Sequence, residues 1–242
     1  MWGRMSVRGN GNDSEGTSMV EATVAGVRAE LAELEDPKAR AVNERHGDDH
    51  GVNLTKLRGI AKELKKNDDL ARQLWATGDT AARLVAILIM RPRSWDAAEL
   101  DAMLRESRVP KVHGWLVNYI VKKSKHAEAL RTTWMADPDP VVASAGWALT
   151  SERVAKDPEG LDLPGLLDVI DAEMKQAPER LQWAMNETLA SIGIENPELR
   201  DRALEIGERL EVLKDYPTPP NCTSPFAPIW ITEIVRRRAE GK

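Results

Sequence analysis

Apolar residues recur every three to four positions through most of the chain, the spacing that lines one face of an α-helix, and the strict alternation of a half-buried strand does not occur. The first stripe is Val20, Val24, Val27, Leu31 and Leu34, stopped near Asp36 because Pro37 disfavours helix in the residue before it. A second stripe places Leu57, Ile60, Ala61 and Leu64 inward, with Lys56, Arg58, Lys62, Lys65 and Lys66 mostly outward, the most basic face in the chain. Asp68 and Asp69 open a helix carrying Leu70, Leu74 and Trp75, and Asp79 opens one carrying Leu84, Val85, Leu88 and Ile89. Acidic residues suit helix starts, where free N–H groups need acceptors. Ser94 is expected to cap a helix with Leu100, Met103 and Leu104.

In Lys111–Lys125, Val112, Trp115, Leu116, Tyr119 and Ile120 predict one continuous helix introduced by Pro110. Lys111, Gly114, Asn118, Lys122 and Lys125 share another stripe, with Trp115 at its edge. A cationic, amide-bearing stripe beside an indole suits a nucleic-acid backbone, and equally describes the solvated face of a core helix.

Further helices follow over Ala127–Met135 and Val141–Val154, with Asp137 and Asp139 as turn and cap residues between them. Leu166–Met174, Leu181–Ile192 and Leu199–Leu213 carry the next stripes; Gly193 and Pro197 are the expected stop and restart. Residues 214–228 hold five prolines and predict a non-helical cover or arm, before a last short helix from Trp230 to Arg238. Helix pairs repeating at roughly 30–35 residues predict an all-α fold, a curved α-solenoid of HEAT-like pairs with a concave face. Residues 1–18, rich in Gly, Ser, Asn and Asp, predict a disordered leader ahead of a single domain over 19–242, with Met5 and Met19 as alternative candidate starts.

Composition narrows the function classes. Charged residues are 30% and hydrophobic ones 42%, and no apolar run approaches a membrane span, so a membrane role is not expected. The net charge of −5 argues against a protein coated with basic residues and leaves room for a local cationic groove. One cysteine, Cys222, excludes an internal disulfide and fits a reducing, cytoplasmic setting. His46 and His50, with Asp48 and Asp49 between them, would make a metal cluster on a helix, but Gly47 and Gly51 favour a loop without metal. No cofactor motif is present.

Several stretches together carry a resemblance: DPKARAVNERHG (Asp36–Gly47), GVNLTKLRGIAKEL (Gly51–Leu64), DDLARQLWATGDTAARLVAILI (Asp68–Ile89), VVASAGWAL (Val141–Leu149) and AMNETLASIGIENPELRDRALEIGERL (Ala184–Leu210). In this order and spacing the chain resembles the AlkD-like DNA alkylation repair proteins, HEAT-like solenoids that grip duplex DNA in a cationic concave groove. CTSPFAPIWI (Cys222–Ile231) is similar to a C-terminal segment of one branch of that family. The resemblance also implies that the His46–His50 loop is a connection. Active members excise cationic alkylpurines with a Trp-x-x-x-Asp pair on a central helix, an arginine on a later inner helix and a second Trp. Aligned on Trp134 and Val141–Leu149, this chain has Pro110 for the first Trp, Gly114 for the Asp, Ser144 for the arginine and Glu187 for the second Trp.

The resemblance therefore implies a DNA-binding protein whose N-glycosylase activity is weak or absent, since glycine cannot supply the anion that stabilises an oxocarbenium-like transition state. Asn118 and Glu187 are the candidate catalytic replacements, with Trp115 and Trp183 nearby. Lys56, Lys62, Lys65, Lys66, Lys111, Trp115, Lys122 and Lys125 are the candidate phosphate contacts, with the C-terminal arginines as further cations. The alternative is a protein-interaction scaffold that has abandoned DNA.

Overall fold

The computed structural model describes residues 22–241. The predicted leader, its candidate starts and Val20 lie outside the described residues. Among those described there are thirteen α-helices, and the β-type contact is one isolated bridge, Glu35 to Val52.

The first helix, α1 (Val24–Glu33), is capped by Thr23, whose hydroxyl accepts from the Gly26 N–H at 3.1 Å. α2 (Pro37–Glu44) starts with proline at N1 and Asp36 as cap. α3 (Leu54–Leu64) and α4 (Asp68–Ala76) are capped by Asn53 and Asn67, so Asp68 and Asp69 stand in the first turn of α4 rather than at its cap. α5 (Thr80–Ile89) is capped by Asp79 as expected. The cap of α6 (Ala97–Glu106) is Asp96, not Ser94: Asp96 and Glu99 each accept the other's backbone N–H, which satisfies two free donors at once. Ser94 closes a short 3-10 turn just before it.

α7 (Pro110–Trp115), α8 (Ala127–Met135), α9 (Pro140–Lys156), α10 (Leu163–Glu173), α11 (Glu179–Glu195), α12 (Pro197–Leu210) and α13 (Ala227–Ala239) complete the stack. Asp139 caps α9 and Asp137 accepts from the Asp139 N–H, the turn and cap roles their spacing predicts. α11 does not stop at Gly193. It runs on to Glu195, and the missing Cβ at Gly193 makes room for Ile231 of α13, whose Cδ1 would lie 2.6 Å from an added methyl. The non-helical cover predicted over 214–228 ends at Phe226, because α13 starts at Ala227 rather than Trp230 and takes Pro228 into its first turn, where the missing N–H costs no helical bond.

α5 is buried on nearly every side because α1, α3, α4 and α7 all pack on it. Beyond it, α8 packs on α9, α9 on α11, and α11 on α12 and α13. Buried side chains form two clusters that meet at α9: Val142, Ala145 and Leu149 point into the one reaching back to Val27, and Trp147 and Val154 into the one reaching on to Ile231. At about 100° per residue these two sets fall on opposite faces of the helix. Gly146 sits at the α8–α9 crossing, where an added Cβ would lie 2.3 Å from the Met135 backbone nitrogen. Of the six tryptophans the sequence spreads along the helices, Trp75, Trp134 and Trp147 are core on helices, Trp95 is core but lies in extended backbone before α6, and Trp115 and Trp183 are half-buried at the rim. Trp134 is fully buried and satisfies its indole N–H on Asp101 at 2.8 Å.

Candidate nucleic-acid interface

The stretch expected to be one helix from Lys111 to Lys125 is three segments. α7 ends at Trp115, Leu116–Ile120 widen into a π turn, and Val121–Lys123 tighten into a 3-10 turn. The Val121 N–H is shared between the carbonyls of Leu116 and Val117, which marks the extra residue in the turn. Val112, Leu116 and Ile120 remain buried, joined by Val117 and Val121, so the apolar face survives the change of winding. The lysine stripe does not survive, because positions after the π turn are rotated relative to Lys111.

The change brings aromatic rings and cations into one ridge. The rings of Trp115 and Tyr119 lie 5.3 Å apart at 47°. Arg58, reaching over from α3, places its guanidinium 5.7 Å from the Trp115 ring, and the Lys123 ammonium lies 5.9 Å from the Tyr119 ring. Both distances allow cation–π attraction. Neither Arg58 nor Lys123 has a carboxylate partner among the described residues, whereas most arginines do. Lys56 and Lys62 of α3, Lys65 at its C-terminal cap, and Lys125 just past the 3-10 turn are likewise exposed and without ion pairs among the described residues. Lys66 is committed differently: its ammonium donates to the carbonyls of Leu88 and Met90 at 2.9 and 2.8 Å. Burial, then the neighbouring Lys123 charge, lowers its pKa.

Three of the expected cationic contributions are compensated by carboxylates of the chain itself. Lys111 donates its backbone N–H to Asp48 Oδ1 at 3.0 Å and its ammonium to Oδ2, and Asp48 is 1% exposed. This pair pins the loop before α3 to the start of α7. Lys122 pairs with Glu152 at 3.3 Å, and Glu152 also holds Lys156. The C-terminal arginines are covered by carboxylates: Arg236 by Glu233 and Glu240, Arg237 by Glu233, and Arg238 by Glu195. Asp48, Glu152 and Glu195 lie far along the chain from Lys111, Lys122 and Arg238, which periodicity does not encode, whereas Glu233 and Glu240 stand at the three- and four-residue helical spacing from their arginines.

The positions aligned with the family's catalytic residues are now placed. Gly114 is half-buried, and an added Cβ there meets nothing within 4 Å, so close packing does not explain the glycine. Ser144 is buried and donates to the Val141 carbonyl of its own helix at 2.7 Å. Glu187, on α11, lies beside Ser151, Glu152 and Lys122; burial pushes its carboxyl up, while the Lys122 charge opposes that shift. Asn118 is exposed on the π turn. Pro110 faces Trp183 across a cleft of about 550 Å³. His113, beside Gly114, is buried and bonded through Nε2 to the Val141 carbonyl at 3.0 Å. Burial, followed by the Arg180 charge, lowers its pKa to about 4. His50 is also buried, with Nδ1 accepting from the Val52 N–H at 3.3 Å. No group of three or more His, Cys, Asp or Glu among the described residues is placed to hold a metal ion.

Sequence spacing does not single out Arg58 or Lys123. The available signal was the four-residue ladder Trp115, Tyr119, Lys123, in which both rings read as core.

These helices and this surface define a helical-repeat protein carrying an unpaired cationic–aromatic ridge. A profile of the family described as "DNA alkylation repair enzyme" matches residues 27–231, and the chain belongs to that family. It is 24% identical over 186 residues to the uncharacterized protein Lmo0209 of Listeria monocytogenes, an alignment covering 73% of this chain and 81% of that one. A solved structure described as "a new family of proteins related to the HEAT-like repeat DNA glycosylases with affinity for branched DNA structures" shares the fold, with a TM-score of 0.69 at 22% identity over 91% of this chain and 95% of the other. The fold is thus an all-α, HEAT-like solenoid.

Proposed function

We propose that the protein binds duplex or branched DNA through its phosphates, with Arg58 and Lys123 at the centre of the contact and Lys56, Lys62, Lys65 and Lys125 around them. The observation that carries this reading is the ridge itself: two cations over adjacent aromatic rings, with no carboxylate among the described residues to neutralise them. Unpaired cations on a protein of net charge −5 are a local polyanion site, since phosphate contacts release condensed counterions. Lys111 and Lys122 leave the contact set because their charge is already compensated. The fold relative's described affinity for branched DNA supports including junctions among the ligands.

In the same reading, excision of alkylpurines is weak or absent. Glycine at 114 offers no anion, and Ser144 donates to its own helix. Asn118 can bond DNA or orient water but carries no charge. The test is fluorescence anisotropy with labelled duplex, three-way junction and single-stranded DNA over a series of salt concentrations. Binding that weakens steeply with salt supports the reading. Absence of binding to every form at low salt overturns it in favour of a protein-interaction scaffold.

A further inference from the structure

The cleft between Pro110 and Trp183 is separate from the cationic ridge, and its chemistry is different. Its walls include Arg45 and His46 from the loop after α2, Pro110, Arg180 and Trp183 from the first turns of α11, and Tyr216 from the proline-rich cover. Its volume of about 550 Å³ lies within the range of small-molecule sites, roughly 300–1,000 Å³. Trp183 and Tyr216 meet edge to face with centroids 5.0 Å apart, so an aromatic wall is already assembled.

The charge in the cleft is unbalanced. Arg180 has no carboxylate partner among the described residues; one nitrogen donates to the Arg108 carbonyl at 3.4 Å, and the other terminal nitrogen is buried without an acceptor. Burial and the nearby Arg108 charge both lower its pKa, the effect expected of a guanidinium short of anions. Arg45 bonds only a carbonyl, that of Ala41 at 3.2 Å, so its terminal nitrogens are also uncommitted among the described residues. Asp48, the buried carboxylate close enough to act on Arg180, is held by Lys111. Glu179 is the one carboxylate lining the cleft among the described residues. A buried donor without an acceptor is costly in a folded protein, and a ligand oxygen removes that cost if the side chain turns toward it.

We propose that this cleft binds a single 5′-phosphorylated nucleotide, with the phosphate on Arg180 and Arg45 and the base against Trp183 and Tyr216. Guanidinium groups match phosphate oxygens in pairs, and every nucleobase offers a π-face for stacking on an indole. The volume suits one nucleotide rather than a continuous strand. The ligand can come from two sources, a free nucleoside monophosphate or the phosphorylated end of a DNA strand. Binding of the free nucleotide does not depend on the ridge, so failure of either reading leaves the other standing.

The experiment is isothermal titration of the full chain with deoxyadenosine 5′-monophosphate, deoxyadenosine and inorganic phosphate, beside anisotropy with 5′-phosphorylated and 5′-hydroxyl oligonucleotides. Deoxyadenosine 5′-monophosphate, the phosphorylated oligonucleotide or both should bind at least about tenfold more tightly than the partner lacking the phosphate. Arg45→Gln, an exposed change that leaves the packing intact, and Arg180→Gln should each abolish most of that preference. Trp183→Leu should weaken nucleotide binding without affecting inorganic phosphate. Preference for the phosphorylated oligonucleotide alone assigns the site to strand ends, and preference for the free nucleotide alone assigns it to the mononucleotide. Inorganic phosphate binding as tightly as the nucleotide overturns the nucleoside assignment. No phosphate preference in either format, or one indifferent to Arg45→Gln and Trp183→Leu, overturns the site.

Discussion

Lys111 and Asp48, 63 residues apart, form a charge pair in which the lysine gives both its backbone N–H and its ammonium to one carboxylate. Because Asp48 is 1% exposed, the pair acts in the folding of the N-terminal loop onto α7 rather than at the surface. Removing one partner leaves a buried charge uncompensated, which costs about 3–5 kcal/mol. Lys111→Met should therefore lower the unfolding free energy by that amount in urea titrations. Where the variant remains folded, the salt dependence of its DNA binding should match the wild type.

His113 makes stability fall in acid. Its ordinary pKa of 6.5 drops to about 4 in the folded chain, chiefly through burial and the Arg180 charge. The folded state therefore resists protonation, so the stabilisation is complete above pH 6.5 and lost as pH falls toward 4. The full swing is on the order of 3 kcal/mol. Melting temperature followed from pH 7 to pH 4 should fall less in His113→Gln than in the wild type. His50, whose pKa burial also lowers, contributes a parallel loss that persists in the variant.

Gly146→Ala tests the α8–α9 crossing. The new methyl group would meet the backbone at Met135 and Trp134, 2.3 and 2.8 Å away, and backbone cannot rotate aside as a side chain can. The expected destabilisation is about 1–3 kcal/mol, read from chemical denaturation. A neutral effect would show that the two helices separate easily.

Gly114 offers a gain-of-function test. Open space around its Cβ position means Gly114→Asp can fold without a clash. A transition-state electrostatic contact is worth on the order of a hundred- to a thousandfold in rate. Release of 7-methylguanine from methylated DNA should be near background for the wild type and should rise in Gly114→Asp. Robust wild-type release unchanged in Glu187→Gln contradicts this account of the site.

The helices were legible where burial is one-sided. α3, α4 and α5 follow their apolar stripes, and Asp79 and Asp139 cap as their positions imply. α2 has no buried residue and so writes no stripe; only Asp36 and Pro37 announce it. The π turn at Leu116–Ile120 was hidden because its inward residues stay apolar through the change of winding. The fate of each lysine was the least readable. Lys111, Lys122 and Lys123 look alike in sequence, yet the buried Asp48 pairs with the first, Glu152 neutralises the second, and Tyr119 receives the third.

The contact with DNA is tested most directly by the salt dependence of binding in Arg58→Ala/Lys123→Ala. Each phosphate contact contributes about 0.9 to the slope of log Kobs against log salt concentration, so loss of two should flatten it by about 1.8. Affinity should fall for duplex and junction alike, because phosphate contacts carry no sequence information. A double variant that keeps both the affinity and the slope of the wild type would contradict the placement of DNA on this ridge.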